Sequence, residues 1–217
     1  MISATEALER LRDGNRRFVS DTGRPRPLTN HRRRSELVPG QEPFAIVLGC
    51  SDSRVPAELV FDLGLGDMFV IRVAGNIVAP SQIGSVEFAA HRFGTRLVVV
   101  LGHSTCGAVL ATLDELRRPT ENHQGNINSI VDRIKPSVEG LLETEGAGDP
   151  KILEKHAVRA NIRASVNQLR HGSEILEHLV RNDSLLVVGA EYSLNTGIVD
   201  FFDDGPEAGG QESWLLG

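Results

Sequence analysis

The 217-residue chain has two cysteines, and both stand in short stretches crowded with reactive side chains. Cys50 opens Cys50-Ser51-Asp52-Ser53-Arg54, directly after the apolar run FAIVLG. Cys106 closes His103-Ser104-Thr105-Cys106, directly after LVVVLG. Two thiols and an imidazole form a donor set suited to zinc, which takes cysteine sulfur and histidine nitrogen in four-coordinate sites. Three protein donors leave a fourth position, and water there makes a catalytic site whereas a protein donor there makes a closed, structural one. Asp52 is the carboxylate within the two motifs and can fill that position. Arg54 bears on the choice, because a guanidinium can grip a carboxylate through two parallel hydrogen bonds and hold it off a metal. The pattern C-x-D-x-R therefore reads as a ligand, a gate and the group that holds the gate open. Singly, each part is ordinary: a lone buried cysteine mostly packs, and Asp-x-Arg is usually a surface pair of little worth. Their joint use of every cysteine in the chain is what carries the reading. A phosphate-cradling cysteine loop is excluded, since GAVLAT follows Cys106 with no arginine.

Such donors must be brought together by the elements before and after them. Four apolar runs read as strands buried on both faces, because none alternates strictly with polar residues: 44–50, 67–75, 96–104 and 184–193. Helical segments lie near 84–93, 107–118, 126–135, 150–169 and 173–180. Alternation of strand and helix predicts an α/β fold, a mostly parallel sheet with helices on both faces. TGIVDFF at 196–202 predicts a further, antiparallel edge strand. Cys50 then ends the first strand and His103 the third. Sites in such sheets form beyond the carboxyl ends of the strands, where strand order reverses.

Ahead of the sheet, Ser3 and Glu6 form a capping-box pattern and Leu8, Leu11 and Phe18 follow at helical spacing, predicting a helix to about Val19. DTGRPRPLTN then predicts an extended arm. A single domain is expected over 1–217, with a helical arm over 1–35, a core over 36–202 and a Gly-rich acidic tail over 203–217. A formal net charge of -6 argues against nucleic acid as the main partner. Arg24, Arg26, Arg32, Arg33 and Arg34 form a basic cluster, but no aromatic residue interleaves with it, and a solvated arm or subunit contact is the reading. The N-terminus lacks a signal-peptide layout, and no apolar run approaches the roughly 20 residues that span a bilayer. We therefore expect a cytoplasmic protein that does not enter a membrane, in which two cysteines serve as thiols or metal ligands and not as a disulfide.

At these residues the chain resembles the β-class carbonic anhydrases. CSDSR at 50–54 and HSTCG at 103–107 match that family's two zinc motifs, and VPAE at 55–58, GDMFVIRVAGN at 66–76 and GSVEFA at 84–89 match its intervening blocks. The resemblance implies zinc on Cys50, His103 and Cys106, with Asp52 and Arg54 as a gating and catalytic dyad and Asp52 as fourth ligand in a closed state. It implies sheet order 2-1-3-4, a site at a dimer interface, and a homodimer or homotetramer. Gln41, Phe69, Ala74, Phe88 and Gly107 fall on substrate-pocket positions, Phe88 reaching across from the other subunit. Ala74 replaces a common valine and would widen the pocket slightly. Val47 stands where bicarbonate-inhibited members have a tryptophan, with Arg72 and Tyr192 matching the other parts of that second pocket, so the open state is favoured here.

The activity implied is reversible hydration of CO2 to bicarbonate and a proton by zinc-bound hydroxide, oriented by the Asp52–Arg54 dyad. Two thiolates offset the metal's charge, so the rate is expected to rise through mildly alkaline pH. Two other readings keep the zinc: hydrolysis of carbonyl sulfide or carbon disulfide, and a structural metal closed by Asp52. Arg54 discriminates against the last, which has no need of a paired guanidinium. His31, His91, His123, His156, His171 and His178 are proton-shuttle candidates by residue type alone, and ordinary surface histidines are the simpler reading.

Overall fold

A computed structural model describes residues 2–22, 31–118, 125–182 and 184–203. Residues 23–30 of the expected arm (Arg24 and Arg26 among them), His123 and the tail over 204–217 lie outside the described residues.

Five strands form one sheet in the order β2-β1-β3-β4-β5. They are β1 (Ala45–Gly49), β2 (Met68–Arg72), β3 (Leu97–His103), β4 (Leu186–Tyr192) and β5 (Val199–Asp203). The first four pair in parallel, and β5 joins β4 antiparallel with a register shift at Gly189/Ala190. The expected order and antiparallel edge are both present. Every residue of β1 and β3 is buried, which is why their sequences run apolar without alternation. Ile46, Leu48, Val98, Val100 and Val187 face one layer of the core, and Ala45, Val47, Leu97, Val99, Leu101 and Val188 face the other.

Helices α1 (Ala4–Val19), α2 (His31–Leu37), α3 (Ala57–Val60), α4 (Pro80–Arg92), α5 (Gly107–Arg117), α6 (Asn128–Val138), α7 (Pro150–His171) and α8 (Glu174–Asn182) complete the described residues, with short 3-10 turns at Ala74–Asn76 and after α6. Residues of α4 to α8 pack into the first core layer, and residues of α1 and α3 into the second. Several details differ from expectation. The sequence-predicted strand over 67–75 ends at Arg72, because Gly75 and Asn76 adopt positive φ of 68° and 43° and turn the chain. Helix α4 begins at Pro80, using proline's fixed φ in the first turn, where its missing N–H costs nothing. Helices α2 and α3, of 7 and 4 residues, are too short to show a period. Only half the expected capping box forms: Ser3 accepts from the Glu6 N–H at 3.1 Å, while the Glu6 carboxylate turns to Arg10 at 2.9 Å.

The backbones of α1 and Phe61 meet at Gly14. A Cβ there would lie 2.8 Å from the Phe61 carbonyl carbon and closer still to its oxygen. Backbone on both sides leaves no flexible group to yield. Gly14→Ala is expected to destabilise the protein by about 3 kcal/mol, read as a lower denaturant midpoint; an unchanged midpoint would contradict the packing.

Candidate metal centre

Cys50 follows the last residue of β1, His103 ends β3, and Cys106 immediately precedes α5. Since β1 and β3 pair directly, these ends meet. One donor atom from each of the three side chains lies within 4.8 Å of the others, and all three residues are buried. The His103 tautomer is set by its surroundings: Nδ1 lies 2.9 Å from the Ser104 carbonyl, to which its proton is donated. That leaves Nε2 as a bare acceptor, fully buried and without a hydrogen-bond partner among the described residues. A buried nitrogen lone pair left unmet beside two sulfurs is costly unless a cation completes it. The donor set and its spacing therefore fit a soft divalent ion, zinc first.

Cys106 holds the adjacent Cys50 thiol well below its ordinary value against the effect of burial, and the His103 ring and the N–H groups of Asp52 and Gly75 assist. The same contact, together with burial, pushes Cys106 up. A cation that binds both sulfurs takes them as thiolates and displaces whatever proton they hold. Burial lowers the His103 ring, but the adjacent Cys50 outweighs it and the net shift is upward.

Asp52 stands beside this cluster, its Oδ2 at 3.8 Å from His103 Nε2. Arg54 grips it with two side-chain bonds, Nε to Oδ1 at 2.9 Å and a terminal nitrogen to Oδ2 at 2.6 Å, and its backbone N–H adds a third at 2.9 Å. The guanidinium holds the Asp52 carboxyl well below the usual carboxylate range. Because the folded pKa is depressed, the stabilisation is present above the ordinary aspartate value near ~4 and is lost as pH falls through the folded one. Asp52 is expected to remain ionised at pH 4, seen by carboxyl-carbon NMR; a midpoint at or above about 4 would contradict the clamp.

Arg72, which matches one part of the second pocket of bicarbonate-inhibited members, donates its guanidinium to the carbonyls of Cys50 at 3.0 Å and Asp52 at 2.6 Å, fastening the donor loop to β2. Tyr192, which matches another part, is buried, with its ring centroid 6.4 Å from that of Phe18.

The pocket residues divide. Ala74 and Gly107 adjoin the cluster, one preceding Gly75, whose N–H reaches Cys50 Sγ at 3.4 Å, the other following Cys106. The remaining three lie elsewhere in the chain. Gln41 precedes β1, whereas Cys50 follows it, so a whole strand separates them; Gln41 lines a separate cavity of about 600 Å³ with Arg10, Phe44 and Phe93. Phe69 is level with Ile46 and not with Gly49. Phe88 packs on Phe69 and Phe93 of its own chain, with ring centroids 6.2 and 5.7 Å away, and remains 53% exposed. The five described histidine candidates for a proton shuttle are all exposed. In the basic cluster, Arg32 pairs with Glu36 and Arg33 with Asp67.

Sequence reasoning missed the groups that brace the donors, namely Arg72, the Gly75 N–H and the polar side chains of α7. One signal was available: Asn161 and Ser165 interrupt the buried stripe of Leu153, Ala157, Val158, Ile162 and Val166.

A buried dithiol–imidazole cluster at the carboxyl ends of two central parallel strands defines an α/β protein built to hold a metal. Comparison with known proteins narrows the class. The carbonic anhydrase family model matches residues 45–199. The carbonic anhydrase of Mycolicibacterium smegmatis is 40% identical over 195 residues, covering 89% of this chain and 91% of its own. Carbonic anhydrase 2 of Mycobacterium tuberculosis is 38% identical over 192 residues, covering 88% and 89%. Among solved structures, a tetrameric β-carbonic anhydrase of Sordaria macrospora shares the fold with a TM-score of 0.71 at 24% identity over 80% of this chain and 87% of that one. The Coccomyxa enzyme in complex with acetazolamide gives 0.68 at 25% identity, covering 77% and 75%. The chain belongs to the β-class carbonic anhydrase family, and so is an enzyme. No helix among the described residues is long and apolar enough to cross a membrane.

Proposed function

We propose that this chain catalyses the reversible hydration of CO2 to bicarbonate and a proton. One observation carries the reading: the buried, unpartnered Nε2 of His103 lies within reach of two thiols and beside a carboxylate already gripped by arginine. Cys50, His103 and Cys106 would hold zinc. Bound there, zinc supplies Lewis acidity that makes water a usable nucleophile near neutral pH. Asp52 Oδ2, the oxygen nearest the cluster, accepts a hydrogen bond from the attacking water and aims its lone pair at the CO2 carbon. Arg54 keeps that carboxylate ionised and off the metal, and Arg72 holds the loop that carries both. Carbon gains one C–O bond, a C=O π pair moves to oxygen, and the water's proton leaves to solvent.

The reading includes self-association as a dimer or tetramer. Gln41, Phe69 and Phe88 lie away from their own chain's cluster, so a partner copy is what can bring such residues to a site. Two free thiols fit a reducing compartment, which supports the cytoplasm.

Stopped-flow CO2 hydration on protein of known zinc content, near pH 7 and 8.5, tests the activity. Turnover at both, rising with pH, is expected. Zinc-loaded protein inactive at both would overturn the reading. A monomeric mass by light scattering would count against the shared pocket.

A further inference from the structure

We propose that α7 positions the metal centre: Glu154, Asn161 and Ser165 hold the turn that bonds Cys50 and the turn that joins His103 to Cys106 in left-handed backbone conformations. The inference rests on the reading of Cys50, His103 and Cys106 as metal donors.

Three residues beside the cluster have positive φ: Gly75 at 68°, Asn76 at 43° and Thr105 at 53°. Thr105 lies between His103 and Cys106, and β-branched residues avoid that region. Such conformations persist where surrounding structure over-determines them. Each of the three is tied to α7 by one side chain. Glu154 Oε1 accepts from the Thr105 N–H at 2.7 Å. Asn161 Nδ2 donates to the Gly75 carbonyl at 2.7 Å. Ser165 Oγ donates to the Asn76 carbonyl at 2.9 Å.

The spacing of 154, 161 and 165 puts the three side chains on one face of a helix. Two of them, Asn161 and Ser165, are 2% and 3% exposed within a stripe that is otherwise apolar. Polar groups are costly there unless bonded, and the bonds they make are to the turn of Ala74–Asn76. That turn sends the Gly75 N–H to Cys50 Sγ. Glycine suits position 75, where φ is 68° and a Cβ would come 2.8 Å from Ile134 Cδ1 and 3.0 Å from Ala108 Cβ. One rigid helix of 22 residues thus registers the turn that bonds Cys50 against the turn that joins His103 to Cys106. The donors are held in place before any metal arrives.

The test compares the parent with Glu154→Ala, Glu154→Gln, Asn161→Ala and Val166→Ala. The last removes a buried α7 side chain that makes none of the three bonds. Zinc release to excess chelator is timed, and amide hydrogen exchange at Thr105 and Gly75 is measured in metal-free protein. Glu154→Ala and Asn161→Ala are expected to release zinc about 10-fold faster or more, with matching loss of protection at Thr105 and Gly75 respectively. Glu154→Gln keeps an acceptor oxygen for the Thr105 N–H, and both it and Val166→Ala should stay within about twofold of the parent. Rates and protection that do not move, or Val166→Ala matching the polar variants, would overturn the assignment and leave α7 as ordinary packing. If the parent itself retains no zinc, the metal reading fails separately, and exchange at the two amides alone decides whether α7 positions the turns. If Asn161→Ala does not fold, the Glu154 pair decides.

Discussion

His103→Ala is expected to emerge from purification without stoichiometric zinc and to hydrate CO2 more slowly by on the order of 10³-fold or more. The His103 ring is wholly buried, and its Nε2 has no other partner among the described residues. Its Nδ1 is committed to the Ser104 carbonyl, so no other atom of the side chain can substitute. Removing it leaves two thiols, and two donors are too few to hold zinc against competing ligands. The empty volume will also lower stability, and that effect must be separated from loss of the metal. Chelation of the parent should reproduce the loss of activity and added zinc should restore it, whereas the variant should not respond to zinc. Metal content by atomic absorption beside stopped-flow rates makes the comparison. A variant that keeps zinc and turnover would remove His103 from the donor set.

Arg54→Ala should divide what His103→Ala removes together. Zinc is expected to remain near one per chain, while hydration slows by about 10–100-fold. Asp52 keeps the backbone N–H bond at position 54 but loses both guanidinium bonds. Its carboxyl then rises toward the ordinary range, and it is free to turn toward His103 Nε2, 3.8 Å away. Both changes favour a carboxylate that occupies the position where water should stand. The deficit should therefore deepen as pH falls, because hydroxide grows scarcer while the freed Asp52 stays largely ionised until about pH 4. Arg54→Lys keeps the charge without the planar fork and should fall between parent and alanine. Equal rates for Arg54→Ala and the parent across pH 6.5 to 9 would show that the dyad takes no part in turnover.

The central strands were legible in the sequence because burial on both faces leaves a plain mark, an unbroken run of Val, Ile and Leu. Sheet order, by contrast, came with family resemblance, since periodicity says nothing about which strands pair. The end of β2 was overrun because IRVAG continues the apolar pattern past Arg72. What stops the strand is backbone handedness at Gly75 and Asn76, and hydrophobicity does not record it. The grouping of Cys50, His103 and Cys106 was legible because cysteine is scarce here and both copies stand near strand termini. The pocket residues came with family resemblance alone. Gln41 stands nine positions before Cys50, and the intervening β1 is extended at about 3.3 Å per residue, so the two lie at opposite ends of that strand within one chain. The bracing by α7 was not seen because it joins side chains to backbone groups far away in the chain, and no motif spans that gap.

The pairing of β1 with β3, while β2 and α4 loop out between them, imposes a timetable on assembly. A nascent chain first offers Cys50 as a solitary thiol, and the His103–Cys106 pair arrives much later in synthesis. The three donors meet only when a long loop closes and the middle of the sheet docks, the kind of distant contact that forms slowly. Capture of an ion by all three donors would thus come late, after that loop has closed. A metal bound there would report that the centre of the sheet is complete.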